Sequence, residues 1–145
     1  MFLGTYDYTL DAKGRLFFPA KLRDGAASKD GPFIVTRGLE SCLYIYESKT
    51  FNDVVLKRLE SLPVKNQQDA RAFKRLLLAG AVDVVLDDMG RLMLPKALIE
   101  HAGLEKDVML LGIGERIELW GAKRWSAYSK KADSTFEKLG KHLEI

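Results

Sequence analysis

FLGTYDYTLDAKGRLFFP (Phe2–Pro19) and LAGAVDVVLDDMGRLMLP (Leu78–Pro95) are the stretches on which the fold turns. Laid over one another they agree at eight of 18 positions: Gly4/Gly80, Asp7/Asp83, Leu10/Leu86, Asp11/Asp87, Gly14/Gly90, Arg15/Arg91, Leu16/Leu92 and Pro19/Pro95. The match resumes with Ile34–Gly38 over Val108–Gly112 and Leu43–Tyr46 over Ile117–Trp120, so the first copy is expected to carry two extra residues between Pro19 and Ile34. Agreement in one register over so many positions marks an internal duplication.

Each copy reads alike. A β-rich stretch (Thr5–Leu10; Ala81–Leu86) leads through a glycine-containing turn to a short strand (Arg15–Phe18; Arg91–Leu94). Proline then stands at the start of a short helix, where its missing N–H costs nothing. Two strands form a second hairpin (Phe33–Gly38 with Leu43–Glu47; Asp107–Ile113 with Arg116–Trp120), and a helix closes the copy. Phe51, Val55, Leu59 and Leu62 fall on one face of the first closing helix; Trp125, Tyr128, Ala132, Phe136 and Leu139 fall on one face of the last. Gln67–Leu78 reads as a further helix. The expected organisation is a first repeat over 1–63, a helical connector over 64–79 and a second repeat over 80–145, in the α+β class.

The turns carry the chemistry: Asp11-Ala-Lys-Gly-Arg15 and Asp87-Asp-Met-Gly-Arg91. Three residues between strands suit a type I turn followed by a left-handed residue. Asp fits the first position because its carboxylate can accept from the backbone two residues on. Gly14 and Gly90 fall where φ is positive. Arg15 and Arg91 do not build the turn. Either each forms a cross-strand ion pair that steadies an exposed hairpin, worth ~0.2–1 kcal/mol, or Asp orients an arginine fork for phosphate or a guanine edge. The two turns differ in charge. Lys13, Arg15, Lys21 and Arg23 give Asp11–Asp24 a net +2, whereas Asp87–Glu100 sums to −1 and Met89 replaces Lys13. Binding that rests on neutralised phosphates therefore favours the first turn.

The pattern GTYDYTLDAKGRLFFPAKLR, then LDDMGRLMLPKALIEHAGL, then RIELWGAKRW resembles the MraZ family, built from two SpoVT/AbrB-like repeats. The resemblance runs from Phe2 to about Tyr128. It implies two tandem β-hairpin repeats combined into a barrel-like β core with flanking helices. It also implies a sequence-specific transcriptional regulator of the bacterial division and cell-wall gene cluster, located at the nucleoid. Its partners would be double-stranded DNA and further copies of itself in a ring. Arg15 and Arg91 would be the DNA contacts of the turns; the charge count adds Lys13, Lys21 and Arg23 as expected DNA-binding residues, and the turn chemistry makes Asp11, Gly14, Asp87 and Gly90 the orienting ones. The competing reading is an oligomeric assembly protein of the same fold without specific DNA binding.

Other classes find little support. Of 145 residues, 47% are hydrophobic and 30% charged, an ordinary globular balance with a net charge of +3. The longest apolar runs are far short of the ~20 residues that span a bilayer, so no membrane partner is expected. The opening MFLGTYDYTLD carries Asp7 and Asp11 and lacks the basic segment of a secretory leader, so a cytoplasmic location is expected. One cysteine and two histidines do not make a Cys/His metal cage, and no nucleophile–base pair stands out. No metal, cofactor or catalytic residue is expected. Cys42 reads as a packed thiol, Trp120 and Trp125 as core, and Lys123-Arg124 and Lys130-Lys131 as solvated helix faces.

Overall fold

The computed structural model describes Met1–Ile145. In chain order it contains β1 (Phe2–Thr9), β2 (Arg15–Phe17), α1 (Ala20–Gly25), β3 (Phe33–Arg37), β4 (Leu43–Glu47), α2 (Ser48–Thr50), a π-helical turn over Phe51–Val55, and α3 (Leu56–Glu60). There follow α4 (Gln67–Ala79), β5 (Val82–Val84), β6 (Arg91–Met93), α5 (Lys96–Ala102), β7 (Asp107–Gly114), β8 (Arg116–Gly121) and α6 (Ala122–Leu143). Six strands form an antiparallel sheet in the order β1-β7-β8-β4-β3-β5, and β2 and β6 form a separate two-stranded ribbon. The class is α+β, as expected.

The duplication is visible in how the copies pair. The strand β4 lies beside β8 at the centre, with Tyr44 opposite Glu118, and the two hairpins β3–β4 and β7–β8 extend outward from that seam. Each outer hairpin is then completed by the other copy: β1 pairs with β7, and its counterpart β5 pairs with β3.

That exchange corrects the expectation of self-contained hairpins at the Asp-x-x-x-Arg turns. The strands flanking each turn pair across copies, β1 with β7 and β2 with β6. The reason is apolar burial. Leu16 and Leu92 are the inward residues of the short strands, and pairing β2 with β6 sets them opposite each other at 1% and 0% exposure. A single copy has no partner surface for either. The sheet is also open: β1 and β5 are its ends and do not pair with each other, so hydrogen bonding does not close a barrel. The ribbon and sheet instead enclose one core drawn from both copies, including Phe18, Leu22, Phe33, Ile45, Leu98 and Ile117.

Strand register also moves one alignment. Phe33 lies between Glu47 and Val84, whereas Val108 lies between their counterparts Gly121 and Tyr8. Phe33, not Ile34, therefore corresponds to Val108. A one-residue slip would turn Phe33 and Val35, both fully buried, to the wrong face. Only one extra residue of the first copy precedes the strand; the second lies in the β3–β4 turn.

Phe51, Val55 and Leu59 pack on Tyr46, as their spacing predicts, although α3 ends at Glu60 before Leu62. Asn66 caps α4, its Oδ1 accepting from Gln68 N–H (2.9 Å) and Asp69 N–H (3.3 Å). Trp125 and Tyr128 on α6 pack on Trp120, but the later part of the same stripe, Phe136 and Leu139, is exposed. Arg124 is not a free surface cation: its Nη1 donates to the carbonyls of Ser41 and Ala102, both at 3.0 Å.

The shared ribbon core sets a stability prediction. Leu16→Ala and Leu92→Ala should each cost ~2–5 kcal/mol in urea unfolding, with similar losses at the two equivalent sites. Losses below ~1 kcal/mol at both would show that the ribbon is not part of the cooperative core.

Candidate nucleic-acid interface

Both turns have the conformation their sequences demand. Gly14 N–H donates to Asp11 C=O (3.0 Å) and Gly90 N–H to Asp87 C=O (2.8 Å), closing four-residue turns. Gly14 and Gly90 have φ of +81° and +76°, which L side chains rarely adopt. A second constraint at Gly14 is space, because a Cβ there would stand 2.9 Å from the Leu94 carbonyl oxygen.

The aspartates do three jobs each. Asp11 Oδ1 accepts from the backbone N–H of Lys13 and of Arg15, both at 2.9 Å, and its Oδ2 accepts from Arg15 Nε at 2.8 Å. Asp87 repeats this with Met89 N–H (3.0 Å), Arg91 N–H (2.9 Å) and Arg91 Nε (2.8 Å). The Arg15 backbone N–H is the main cause holding the Asp11 carboxyl below the usual aspartate range, and the Arg91 N–H does the same for Asp87. Each arginine is therefore anchored by Nε alone, and its two terminal nitrogens make no hydrogen bond within the chain.

The ribbon brings the arginines together. Arg15 is opposite Met93 and Arg91 is opposite Phe17, while Leu16 and Leu92 point inward. Alternation along a strand puts Arg15, Phe17, Arg91 and Met93 on the outer face. Phe17 and Met93 are exposed there at 47% and 56%. The period-two pattern Arg-x-Phe and Arg-x-Met carried this information, but the pairing of β2 with β6 did not follow from either copy alone.

The remaining candidates divide. Lys13 and Lys21 are exposed. Arg23 is already engaged, its Nη2 donating to Asp30 Oδ1 at 2.6 Å. Cys42 is fully buried, and desolvation pushes its thiol up to about 12, which keeps it protonated and unreactive at neutral pH. Sequence reading missed the group around the buried Glu118 at the central seam. Glu118 accepts from Arg116 Nε and Nη2 (3.0 and 2.6 Å) and from Trp120 Nε1 (3.0 Å), and the Arg116 guanidinium lies 4.1 Å from the Tyr44 ring centre. No helix is long and apolar enough to cross a membrane.

The fold and its paired turns define a class: two-repeat proteins whose halves complete each other's strands and present an aspartate-held arginine from each. A family model described as "MraZ protein, putative antitoxin-like" matches residues 1–76 and again 77–143. The chain is 42% identical over 144 residues to a protein of Thermoanaerobacter sp. (strain X514) named Transcriptional regulator MraZ, spanning 99% of this chain and 97% of that one. Proteins of the same name from Carboxydothermus hydrogenoformans and Acetivibrio thermocellus are 41% and 40% identical, spanning 99% and 100% of this chain and 96% and 98% of theirs. The chain belongs to the MraZ family.

The depressed aspartates set a pH prediction. A carboxyl whose folded pKa lies below its unfolded value of ~3.9 stabilises the fold fully above that value and loses its contribution as pH falls through the folded one. Protection of the Arg15 and Arg91 amides from hydrogen exchange, corrected for intrinsic rate, should be flat from pH 7 to about 5 and fall only below ~4. Loss of protection near pH 6 would show that another group holds the turns.

Proposed function

We propose that this protein is a sequence-specific DNA-binding transcriptional regulator that reads duplex DNA with the outer face of the β2–β6 ribbon. One observation carries the reading: both arginine forks, each fixed by an aspartate through Nε, have free terminal nitrogens on one exposed face of a two-stranded ribbon. The major groove admits such a ribbon, and a guanidinium matches the O6/N7 edge of guanine bidentately. Holding the fork beforehand lowers the side-chain entropy lost on binding. The exposure of Lys13 and Lys21 supports a role for them in phosphate contact. The names of the relatives support regulation of transcription, and the resemblance points to the division and cell-wall gene cluster as the target.

Homo-oligomerisation and repeated operator sites belong to the same proposal. One ribbon offers few phosphate contacts, whereas copies held together raise the effective concentration of each further ribbon at neighbouring sites. The uncovered apolar residues Phe136, Leu139 and Leu143 of α6, and Phe73 and Leu76 of α4, support self-association. The barrel-like core is proposed only in the looser sense of a sheet and ribbon wrapped about shared apolar side chains.

The turns are alike in geometry, so charge separates them. Arg15→Ala should remove ~1–3 kcal/mol of specific binding per lost bidentate contact, and Lys13→Ala should weaken binding to all sequences and lower the salt slope. Arg91→Ala should cost less, because Asp88 and Met89 flank it where Ala12 and Lys13 flank Arg15. The assay is mobility shift on a bound fragment at several salt concentrations, with thermal melts to exclude unfolding. Equal losses for Arg15→Ala and Arg91→Ala would refute the charge argument; no loss for either would refute the ribbon as the DNA-reading face.

A further inference from the structure

We propose that Arg23 of the first repeat is a positioning residue for the second turn: anchored to Asp30, its guanidinium covers Gly90 and keeps Arg91 aimed at DNA. This rests on the reading of the ribbon as a DNA-binding face.

Each turn is clipped and covered by the other repeat, in equivalent ways. At the first turn, Leu10 N–H donates to the Lys106 carbonyl at 2.8 Å, and Ile99 Cδ1 lies 3.1 Å from where a Gly14 Cβ would stand. At the second, Leu86 N–H donates to the Asp30 carbonyl at 2.9 Å, and Arg23 Nη1 lies 2.8 Å from where a Gly90 Cβ would stand. The backbone clip is the same; the cover is a methyl in one case and a guanidinium in the other.

A guanidinium in that place needs to be fixed. Asp30 supplies this with the 2.6 Å ion pair, and the same residue's carbonyl holds the strand that enters the turn. Arg23 Nε is buried with no hydrogen-bond partner. An unsatisfied buried N–H is costly, which fits a side chain placed for contact with the turn rather than for reach into solvent. The pairing also sharpens the electrostatic difference between the turns. The first turn has the exposed Lys106 at the clip position, whereas the second has an ion pair that neutralises itself.

The test uses the full chain with Arg23→Ala and Arg23→Ile, the latter borrowing the cover found at the first turn. Hydrogen exchange of the Met89 and Arg91 amides in the free protein should quicken in Arg23→Ala and return to wild-type rates in Arg23→Ile, with Lys13 and Arg15 unmoved in both. Specific DNA affinity should fall about five- to tenfold in Arg23→Ala, the lower part of what a lost bidentate contact costs, with recovery in Arg23→Ile. The salt slope should stay that of the wild type in both. Equal affinity losses in the two variants with a slope lowered by about one would make Arg23 a phosphate contact and overturn the proposal. Unchanged exchange in Arg23→Ala would overturn it as well. Absence of selective binding by the wild type would refute the DNA reading itself and leave the exchange rates to decide the role of Arg23.

Discussion

Two reciprocal hydrogen bonds fix the relation between the repeats at the ribbon: Leu94 N–H donates to Gly14 C=O at 2.8 Å, and Phe18 N–H donates to Gly90 C=O at 3.0 Å. Each takes the carbonyl of one turn glycine and satisfies it from the other copy. They explain why the motif couples a glycine to a following strand and proline. The glycine must have positive φ to make the turn, and its carbonyl must meet a strand that the other copy supplies. Leu16 and Leu92 are buried at that junction, so polar satisfaction and apolar burial favour the same pairing. The arginines follow from it, since once β2 and β6 pair, both forks share a face.

The aspartate–arginine contacts are exposed enough that little stability can rest on them alone. Their value is geometric. A carboxylate that accepts two backbone N–H groups and one Nε ties the arginine side chain to the turn's own backbone, so the fork moves with the turn. The terminal nitrogens remain free for a partner that presents acceptors in a plane. The same device stands at both turns among different neighbours, Ala12 and Lys13 beside Arg15 but Asp88 and Met89 beside Arg91.

Much of this was legible in the sequence because local chemistry determines it. The turn type, the glycine positions and the pairing of Asp11 with Arg15 depend on residues within five positions of each other, and the duplication shows as that local pattern occurring twice. The stripe Phe51, Val55 and Leu59 packs as its spacing requires. What failed depends on pairing between distant segments. The β2–β6 ribbon, the exchange of β1 and β5, and the correspondence of Phe33 with Val108 are settled by which faces the whole molecule buries. The intramolecular contacts of Arg23 and Arg124 were not legible either: the ion pair with Asp30 and the approach to Gly90 in one case, and the bonds to the Ser41 and Ala102 carbonyls in the other, follow from no local pattern. A barrel-like core was expected from the family resemblance, and the strand pairing shows an open six-stranded sheet with a separate two-stranded ribbon.

Selection of bound fragments from a random duplex pool by the wild-type protein, followed by sequencing, tests the central claim most directly. Two aspartate-held forks on one ribbon predict convergence on a short motif containing guanine, recurring at regular spacing where several copies engage one duplex. A pool that stays random through successive rounds, from protein shown to be folded, would contradict it and favour an assembly role for the same fold.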